Sequence, residues 1–335
     1  MFVKVAERSR VAEVRRLAVQ SSLAQGFGEQ DAGRSAIVAT ELATNLIKHA
    51  NGGEIVIGSF DDADGQGLEL LAVDKGPGIA DLHKALTDGH STSGTPGTGL
   101  GAIRRNANAF AVISWVGRGT AVLARLKPDG QAATKANYLI SGLCAPYPGE
   151  TECGDGWAVS TLPATIGILM ADGSGHGPEA HKAARRSIEI FRERAGWTVE
   201  PLAQAIDRAL GATRGAAIAV AEIDPGGGRV NFVGIGNISA ALLDQGLVRR
   251  MVSNNGTAGH LAPRIRAFQY PFRGPPTVIL HSDGLSARWD LSEYPGLIAA
   301  HPSLIAAVLY RDFRRGRDDA SIVVVRRHSA CPPAS

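Results

Sequence analysis

The chain has 335 residues, of which 44% are hydrophobic and 20% charged, a balance that fits compact globular domains and excludes a disordered protein. Its net charge of +3, without a dense basic run interleaved with aromatic residues, argues against nucleic-acid binding. The three cysteines form an odd set without paired metal spacing, so neither a cysteine metal site nor a disulfide scaffold is expected. With no apolar signal core and no apolar run of membrane-spanning length, the sequence predicts a cytoplasmic protein without membrane association.

The length favours two domains, and the polar segment 127–136, which contains Pro and Gly, is expected to join them. We therefore predict a first domain at 1–127, a linker at 128–136 and a second domain at 137–328. The first domain is predicted to contain, in chain order, helices at 9–24 and 29–50, strands at 54–60 and 68–74, a helix near 100–109, and strands at 111–116 and 120–126.

The second domain is richer in predicted strands, and its helices are grouped. This pattern favours a sandwich of antiparallel sheets covered by helices. The predicted strands are 138–143, 156–161, 164–171, 216–223, 229–234, 239–243, 247–252, 277–282 and 321–327, and the predicted helices are 178–194, 199–210 and 302–313.

Three segments of the first domain carry residues suited to binding a nucleotide. Glu41 and Asn45 are four residues apart on a predicted helix and share one face, where Asn could complete a Mg²⁺ shell and Glu could orient a nucleophile. Asp74 follows a predicted strand, where it could accept a hydrogen bond from the amino group of adenine. The glycine-rich stretch 94–101 runs into a helix start, which presents N–H groups to phosphates. Each segment taken singly is more often an ordinary helix face or loop.

In this order, the three segments resemble the nucleotide-binding motifs of the GHKL ATPase superfamily, and in particular the RsbT type of anti-sigma-factor serine kinases, over about residues 5–127. The resemblance implies an α/β sandwich with helices on one face of a mixed sheet, ATP bound with Mg²⁺, and phosphorylation of a serine on a STAS-domain partner. Asn45 would hold Mg²⁺, Glu41 would be the catalytic carboxylate and Asp74 would bind adenine. The other implied nucleotide-binding residues are Gly76, Gly78, Gly97, Thr98, Gly99, Leu100 and Gly101.

Four short acidic segments are spread over the second domain, around Asp155, Asp172, Asp283 and Asp318. Each places an Asp next to an apolar strand-like run. Carboxylates gathered from separate strand ends form a site for hard divalent cations such as Mg²⁺ or Mn²⁺, and a pair of such ions can activate water and hold a phosphoryl oxygen. A single Asp-Gly pair would more often be a turn.

The four segments together resemble the PPM-type serine/threonine phosphatases, most closely the SpoIIE/RsbX group, over about residues 137–327. The resemblance implies an αββα sandwich with a two-ion centre. Its catalytic and metal-binding residues would be Asp155 and Asp172, joined as ligands by the Gly173 carbonyl, Asp283 and Asp318.

Other side chains near these motifs receive less specific interpretations. Asp319 is expected to hydrogen-bond locally. His176 is either a proton donor at the edge of the metal centre or an exposed turn residue, and His49 and His281 are expected to be structural. Many PPM enzymes hold the substrate phosphate with an Arg near the first strand, but residues 131–155 contain no Arg.

The overall fold class is therefore expected to be α+β, and three functional hypotheses follow. The first is a bifunctional kinase and phosphatase acting on a STAS-domain anti-sigma-factor antagonist or a stressosome-like protein. The second keeps the phosphatase and makes the first domain a nucleotide sensor or partner-binding module. The third is a scaffold with two vestigial sites, against which the mutual repulsion of four carboxylates argues. The choice between Mn²⁺ and Mg²⁺, and whether the chain forms a homodimer, stay open.

Overall fold

A computed structural model describes most of the chain, in four stretches: residues 1–86, 99–130, 136–260 and 265–328. Two of the predicted phosphate-binding residues, Gly97 and Thr98, lie outside these stretches. No helix within the stretches is both long enough and apolar enough to cross a membrane.

The described residues form two compact units. The first unit comprises Met1–Ala136 together with Asp290–Arg311, and the second comprises Asn137–Trp289 together with the chain that follows Arg311. The sequence predicts that Asp290–Arg311 belongs to the second domain, because it lies between two of the acidic segments. In the structure this stretch packs within the first unit instead. The predicted domain limits at residues 127 and 137 stay a prediction.

The first unit contains a sheet and the helices that cover it, in this order: β1 (Phe2–Val5), α1 (Ser9–Ala24), α2 (Glu29–Ala50), β2 (Gly53–Asp62), β3 (Gly65–Val73), α3 (Leu82–Ala85), α4 (Gly99–Asn106), β4 (Ala109–Trp115) and β5 (Gly119–Leu126). The strand order is β1-β2-β3-β5-β4, and every pairing is antiparallel. The predicted mixed sheet is therefore wrong. Short turns join β2 to β3 and β4 to β5 and require antiparallel pairing there, and the pairs β1–β2 and β3–β5 are antiparallel as well.

Helices α1, α2 and α4 share one hydrophobic core with the sheet. The amphipathic helix α2 buries Val38, Leu42 and Leu46, and the strands contribute Ile55 and Leu70 to the same core. Apolar residues that recur every three or four positions give a helix one buried stripe, which is the pattern that predicted this helix from the sequence. The α/β layering predicted for the first domain is confirmed.

The second unit contains two five-stranded sheets. Its elements are β6 (Tyr138–Ala145), β7 (Asp155–Thr161), β8 (Ile166–Gly173), α5 (Pro178–Glu193), α6 (Val199–Leu210), β9 (Ala216–Asp224), β10 (Arg229–Ile235), β11 (Ser239–Asp244), β12 (Leu247–Met251), β13 (Phe268–Pro271), β14 (Thr277–His281) and, after α7 (Pro302–Phe313), β15 (Ala320–Arg327). The strand orders are β13-β10-β9-β8-β7 and β12-β11-β14-β15-β6.

The two sheets of the second unit enclose one core, and helices α5 and α6 enclose another. In β8, Ile168 and Met170 belong to the core shared with the second sheet, whereas Leu169 and Ala171 belong to the core shared with the helices. Successive side chains of a strand point to opposite faces, so a strand buried on both faces is a continuous apolar run. The helix-covered sandwich, and with it the α+β class, is confirmed.

The residues of α7 up to Arg311 pack as part of the first unit. The Ser303 hydroxyl donates a hydrogen bond to Glu69 Oε2 at 2.7 Å, and the rings of Tyr310 and Phe2 have centroids 5.2 Å apart. These contacts explain why a segment from the second half of the chain joins the sheet of the first half.

Candidate functional site

Two of the predicted metal ligands face each other across the β7–β8 pair. Asp155 begins β7 and is the cross-strand partner of Asp172 in β8. Because cross-strand partners project from the same face of a sheet, their carboxyl groups lie close to each other. Gly173 follows Asp172, and a Cβ at this position would lie 2.1 Å from the Ala180 carbonyl oxygen. Only glycine therefore fits at position 173, where the end of β8 lies close to the backbone of α5.

The other two predicted ligands lie at one end of the antiparallel β14–β15 pair. Asp283 follows β14 closely and Asp318 precedes β15. The two segments are in close contact, since a Cβ at Gly284 would lie 1.8 Å from the carbonyl oxygen of Asp319. The Asp283 carboxylate is held by the side chain of Asn237, whose Nδ2 donates to Asp283 Oδ2 at 2.7 Å.

Electrostatic coupling joins the four residues into one acidic cluster. Burial raises the pKa of the Asp172 carboxyl group, and the negative charge of Asp155 raises it further. Asp283 and Asp318 act on Asp172 in the same direction. Burial also raises the pKa of Asp155, and Asp319 adds to the shift. The residues that the sequence singled out are thus neighbours in space.

The cluster fits a divalent-cation site by its chemistry. Oδ2 of Asp155 and Oδ2 of Asp319 are buried without a hydrogen-bond partner among the described residues. Such oxygens are costly to bury unless a cation compensates them, and carboxylate oxygens are the donors that Mg²⁺ and Mn²⁺ prefer. In the part of the chain that the structure describes, no three His, Cys, Asp or Glu residues are already arranged as the ligands of one ion.

Asp319 and His176 lie beside the cluster. Asp319 Oδ1 accepts a hydrogen bond from the backbone N–H of Tyr147 at 2.8 Å, while Oδ2 has no hydrogen-bond partner among the described residues. His176 Nδ1 lies 3.0 Å from Glu150 Oε1, and its ring stacks on Tyr147 with centroids 4.4 Å apart. These contacts fix the position of a half-exposed imidazole, and both roles predicted for His176 stay predictions.

His281 has a structural environment. It is fully buried, with Nδ1 2.9 Å from the Ser282 carbonyl oxygen. The indole N–H of Trp289 donates to His281 Nε2 at 2.9 Å. Burial lowers the pKa of His281 to about 4, so the ring is neutral, donating at Nδ1 and accepting at Nε2. The other histidine expected to be structural, His49, lies exposed on α2.

In the first unit, the predicted Mg²⁺ ligand lies against the glycine-rich helix start. Glu41 and Asn45 are both half-buried on α2. The Cβ position at Gly99, the first residue of α4, is 3.0 Å from Asn45 Oδ1. Leu100 and Gly101 follow Gly99 in the first turn of α4. The structure thus places residues of two of the three predicted nucleotide-binding motifs next to each other.

The third predicted nucleotide-binding motif is a tight turn after β3. Asp74 Oδ1 accepts hydrogen bonds from the backbone N–H groups of Gly76 at 2.8 Å and Thr120 at 3.2 Å. Burial raises the pKa of the Asp74 carboxyl group. Gly78 has a φ of +72°, and a Cβ there would lie 2.1 Å from the Trp115 carbonyl oxygen, so a side chain is excluded. These contacts hold the Asp74 carboxylate in a fixed position at the end of β3, the central strand of the sheet.

Three side chains near the acidic cluster were not predicted as site residues: Asn237, Glu150 and Arg214. Asn237 lies in the segment Gly234–Leu242, whose strand-turn-strand pattern resembles the PPM phosphatases, but no residue in that pattern marks it as a carboxylate partner. The positions of Glu150 and Arg214 depend on contacts between loops, for which the sequence has no local signal.

A helix-covered antiparallel sheet of the ATPase type, followed by a two-sheet phosphatase sandwich, places the chain in the class of GHKL–PPM fusion proteins. The family model "Histidine kinase-like ATPase domain" matches residues 5–126, and the model "Stage II sporulation protein E (SpoIIE)" matches residues 163–328. Each model matches one of the two predicted domains.

A curated relative covers the first unit. The serine/threonine-protein kinase RsbT of Bacillus subtilis (strain 168) is 40% identical over 99 residues, which are 30% of this chain and 74% of that protein. The chain belongs to the RsbT family through this domain, and it joins this domain to a region that the SpoIIE family model matches.

Solved structures share the fold of about half of the chain. A structure from work on the bacterial stressosome as a modular system matches with a TM-score of 0.53 at 24% identity, covering 56% of this chain and 99% of the other. A crystal structure of RsbX in complex with magnesium matches with a TM-score of 0.51 at 16% identity, covering 57% and 95%.

Proposed function

We propose that the chain is a metal-dependent protein serine/threonine phosphatase fused to an ATP-dependent serine kinase domain, and that both act on STAS-domain proteins in bacterial partner switching. The observation that carries the phosphatase assignment is the acidic cluster of Asp155, Asp172, Asp283 and Asp318, in which burial and neighbouring carboxylates raise the pKa of Asp155 and Asp172. A cluster of this kind is stable in its ionised form when cations compensate it.

Divalent ions bound there would supply an activated water and stabilise charge on the phosphoryl oxygens. Asp155 and Asp172 would be ligands on one side of the centre, with the Gly173 carbonyl beside them. On the other side, Asn237 keeps the Asp283 carboxylate in one orientation through its 2.7 Å hydrogen bond. The ligand set consists of oxygen atoms, which suits either Mn²⁺ or Mg²⁺.

The kinase half of the proposal is supported by the identity with RsbT and by the contact of Gly99 with Asn45. Asn45 would hold the Mg²⁺ of ATP, and Glu41 on the same helix face would orient the serine hydroxyl. Asp74 would accept a hydrogen bond from adenine. The partner would be a STAS-domain anti-sigma-factor antagonist or a stressosome-like protein, by analogy with the relatives named above.

The phosphatase is tested by release of phosphate from a serine-phosphorylated STAS-domain protein in Mn²⁺. Wild type should release phosphate, and Asp172→Asn should lose at least about 100-fold in rate, because several kcal/mol of metal-dependent stabilisation are removed. Glu193→Gln is the matched control, because it also removes one carboxylate. Glu193 is exposed at the far end of α5, about 22 Å along the helix from Pro178. It should leave the rate unchanged. Equal rates in wild type and Asp172→Asn would contradict the proposal.

The hypothesis that the first unit senses nucleotide without kinase turnover is favoured by one contact. The Arg311 guanidinium donates to the Asp74 carbonyl oxygen at 2.9 Å, and Arg311 precedes the proposed ligand Asp318 by a short stretch of chain. Glu41→Ala separates the two ideas. Loss of phosphotransfer from ATP to the STAS protein supports a kinase. No transfer by wild type, together with ATP-dependent phosphatase rates in both proteins, supports a sensor.

A further inference from the structure

The strand register brings a basic residue beside the acidic cluster. Gly173 at the end of β8 is the cross-strand partner of Ala216 at the start of β9. The two chains stay together beyond the strands, because the Ser174 N–H donates to the Gly215 carbonyl oxygen at 3.0 Å. The residue before Gly215 is Arg214, which therefore lies alongside the loop that follows the proposed metal ligands.

The side chain of Arg214 turns towards this loop. Its Nη1 lies 3.4 Å from the Cβ position of Gly175, an ordinary van der Waals distance. Gly175 has a φ of +92°, which favours glycine, and the lack of a side chain leaves the guanidinium next to the backbone. Arg214 is exposed, and no hydrogen bond or ion pair of its guanidinium is found in the described stretches.

A free cation at this place has a chemical use. The substrate of a protein phosphatase is a phosphate monoester dianion, which must approach a cluster of carboxylates. A guanidinium offers two parallel N–H donors that match phosphate oxygens. Residues 131–155, where many PPM enzymes have a phosphate-binding Arg, contain none.

We propose that Arg214 binds the phosphate group of the phosphoserine substrate at the metal centre. This assignment rests on the proposed phosphatase function and adds a residue that determines substrate affinity. Arg214 reaches the site from the α6–β9 connection, so the cation comes from a different part of the fold than the first strand.

The experiment compares wild type with Arg214→Ala and Arg214→Lys in the full chain with Mn²⁺. Arg192→Ala is the matched control, because Arg192 is exposed in the last turn of α5, about 21 Å along the helix from Pro178. Two quantities are measured for each protein: KM and kcat on a phosphoserine protein, and the affinity for inorganic phosphate by calorimetry.

Arg214→Ala should raise KM and weaken inorganic phosphate binding by a similar factor of about 10 to 100, the value of charge-assisted hydrogen bonds. Arg214→Lys should recover part of both losses, since it restores the charge but not the paired donors. Arg192→Ala should match wild type. If Arg214 had a purely structural role, Arg214→Ala would lower the melting temperature. Arg214→Lys and Arg214→Ala would then have the same KM and the same affinity for inorganic phosphate.

Two outcomes separate failure of this assignment from failure of the phosphatase proposal. Turnover by wild type with unchanged KM and phosphate affinity in Arg214→Ala would overturn the assignment and keep the phosphatase. No turnover by wild type, together with phosphate binding that depends on Arg214, would overturn the phosphatase and keep Arg214 as a phosphate-binding residue. Wild type that neither turns over substrate nor binds phosphate would overturn both.

Discussion

Each unit gathers several carboxylates in a buried place, but among the described residues the first unit also buries an arginine among them, whereas Arg214 near the second cluster is exposed. In the first unit, the fully buried Arg125 has Nη1 3.0 Å from Asp62 and 3.0 Å from Asp64, and its Nε donates to Glu69 at 2.7 Å. In the second unit, Asp155 and Asp172 approach each other instead. In the first cluster, Asp62, Asp64 and Glu69, the negative charge is compensated by Arg125 of the protein itself. The second cluster is the acidic cluster of the second unit, which fits a cation from solution.

The pKa directions of the two clusters differ accordingly. The His301 ring, whose Nε2 lies 3.3 Å from Asp64 Oδ2, lowers the pKa of Asp64 most strongly despite its partial burial, and attraction from Arg125 lowers it further. Burial and neighbouring carboxylates raise the pKa of Asp155 and Asp172. The same residue type is thus stabilised as an anion in one unit and destabilised in the other, depending on whether a basic side chain lies among the carboxylates.

The largest effect is expected from removing the built-in cation. Arg125→Met leaves Asp62 and Glu69 buried without their partner and should lower the free energy of unfolding by about 3–5 kcal/mol. Arg118→Met is the control, since its ion pair with Glu293 is exposed and should contribute about 0–1 kcal/mol. Urea unfolding of both variants measures the difference. Equal losses of unfolding free energy in the two variants would show that burial does not determine how much the ion pairs of Arg125 contribute to stability.

Added cation should act on the second cluster alone. At a Mn²⁺ concentration of about 100 times the dissociation constant, the unfolding free energy of wild type should rise by about 2.7 kcal/mol. Chelation should reverse the gain, and Asp155→Asn should reduce it, because Asp155 supplies one of the unpaired oxygens. The measurement is thermal unfolding over a Mn²⁺ series. A gain of the same size in Asp155→Asn would place the ion elsewhere.

Without metal, removing one charge from the second cluster should stabilise the protein. Burial, and after it the charge of Asp155, disfavours the ionised form of Asp172, so Asp172→Asn should raise the unfolding free energy by about 1–2 kcal/mol in chelator. The same change at Asp62, which faces a guanidinium, should lower it. Urea unfolding with and without chelator would show the opposite signs. Stabilisation by both Asp172→Asn and Asp62→Asn would contradict the prediction that the two clusters respond oppositely to the loss of a carboxylate.

The sequence predicts the second cluster better than the first. Each Asp of the second cluster stands beside an apolar strand, so the motif order and the strand ends together indicate that the carboxylates converge. The partners of Arg125 carry no such signal, because Asp62 and Asp64 look like a polar turn between strands. The contact of Ser303 with Glu69 joins residues 234 positions apart, which no local pattern indicates.

Short and irregular elements are the other part of the fold that local patterns did not predict. β1 and β13 have four residues each, too few to display alternation of apolar and polar positions. β1 is placed by its pairing with β2, and β13 by its pairing with β10. Their positions follow from the neighbouring strand, so tertiary structure determines them.

The smallest predicted effect is a pH dependence that belongs to the first cluster. Asp64 Oδ2 lies 3.0 Å from Arg125 Nη1 and 3.3 Å from His301 Nε2, and its pKa in the folded protein is lowered. The stabilisation it provides is therefore present above the pKa of an unfolded Asp and is lost as the pH falls through the folded pKa. Asp64→Asn should cost about 1 kcal/mol at neutral pH, because the residue is partly exposed, and nothing once wild-type Asp64 is protonated. Urea unfolding of the two proteins from pH 7 down to about pH 3 tests this; a difference that grows on acidification would show that Asp64 is not stabilised as an anion.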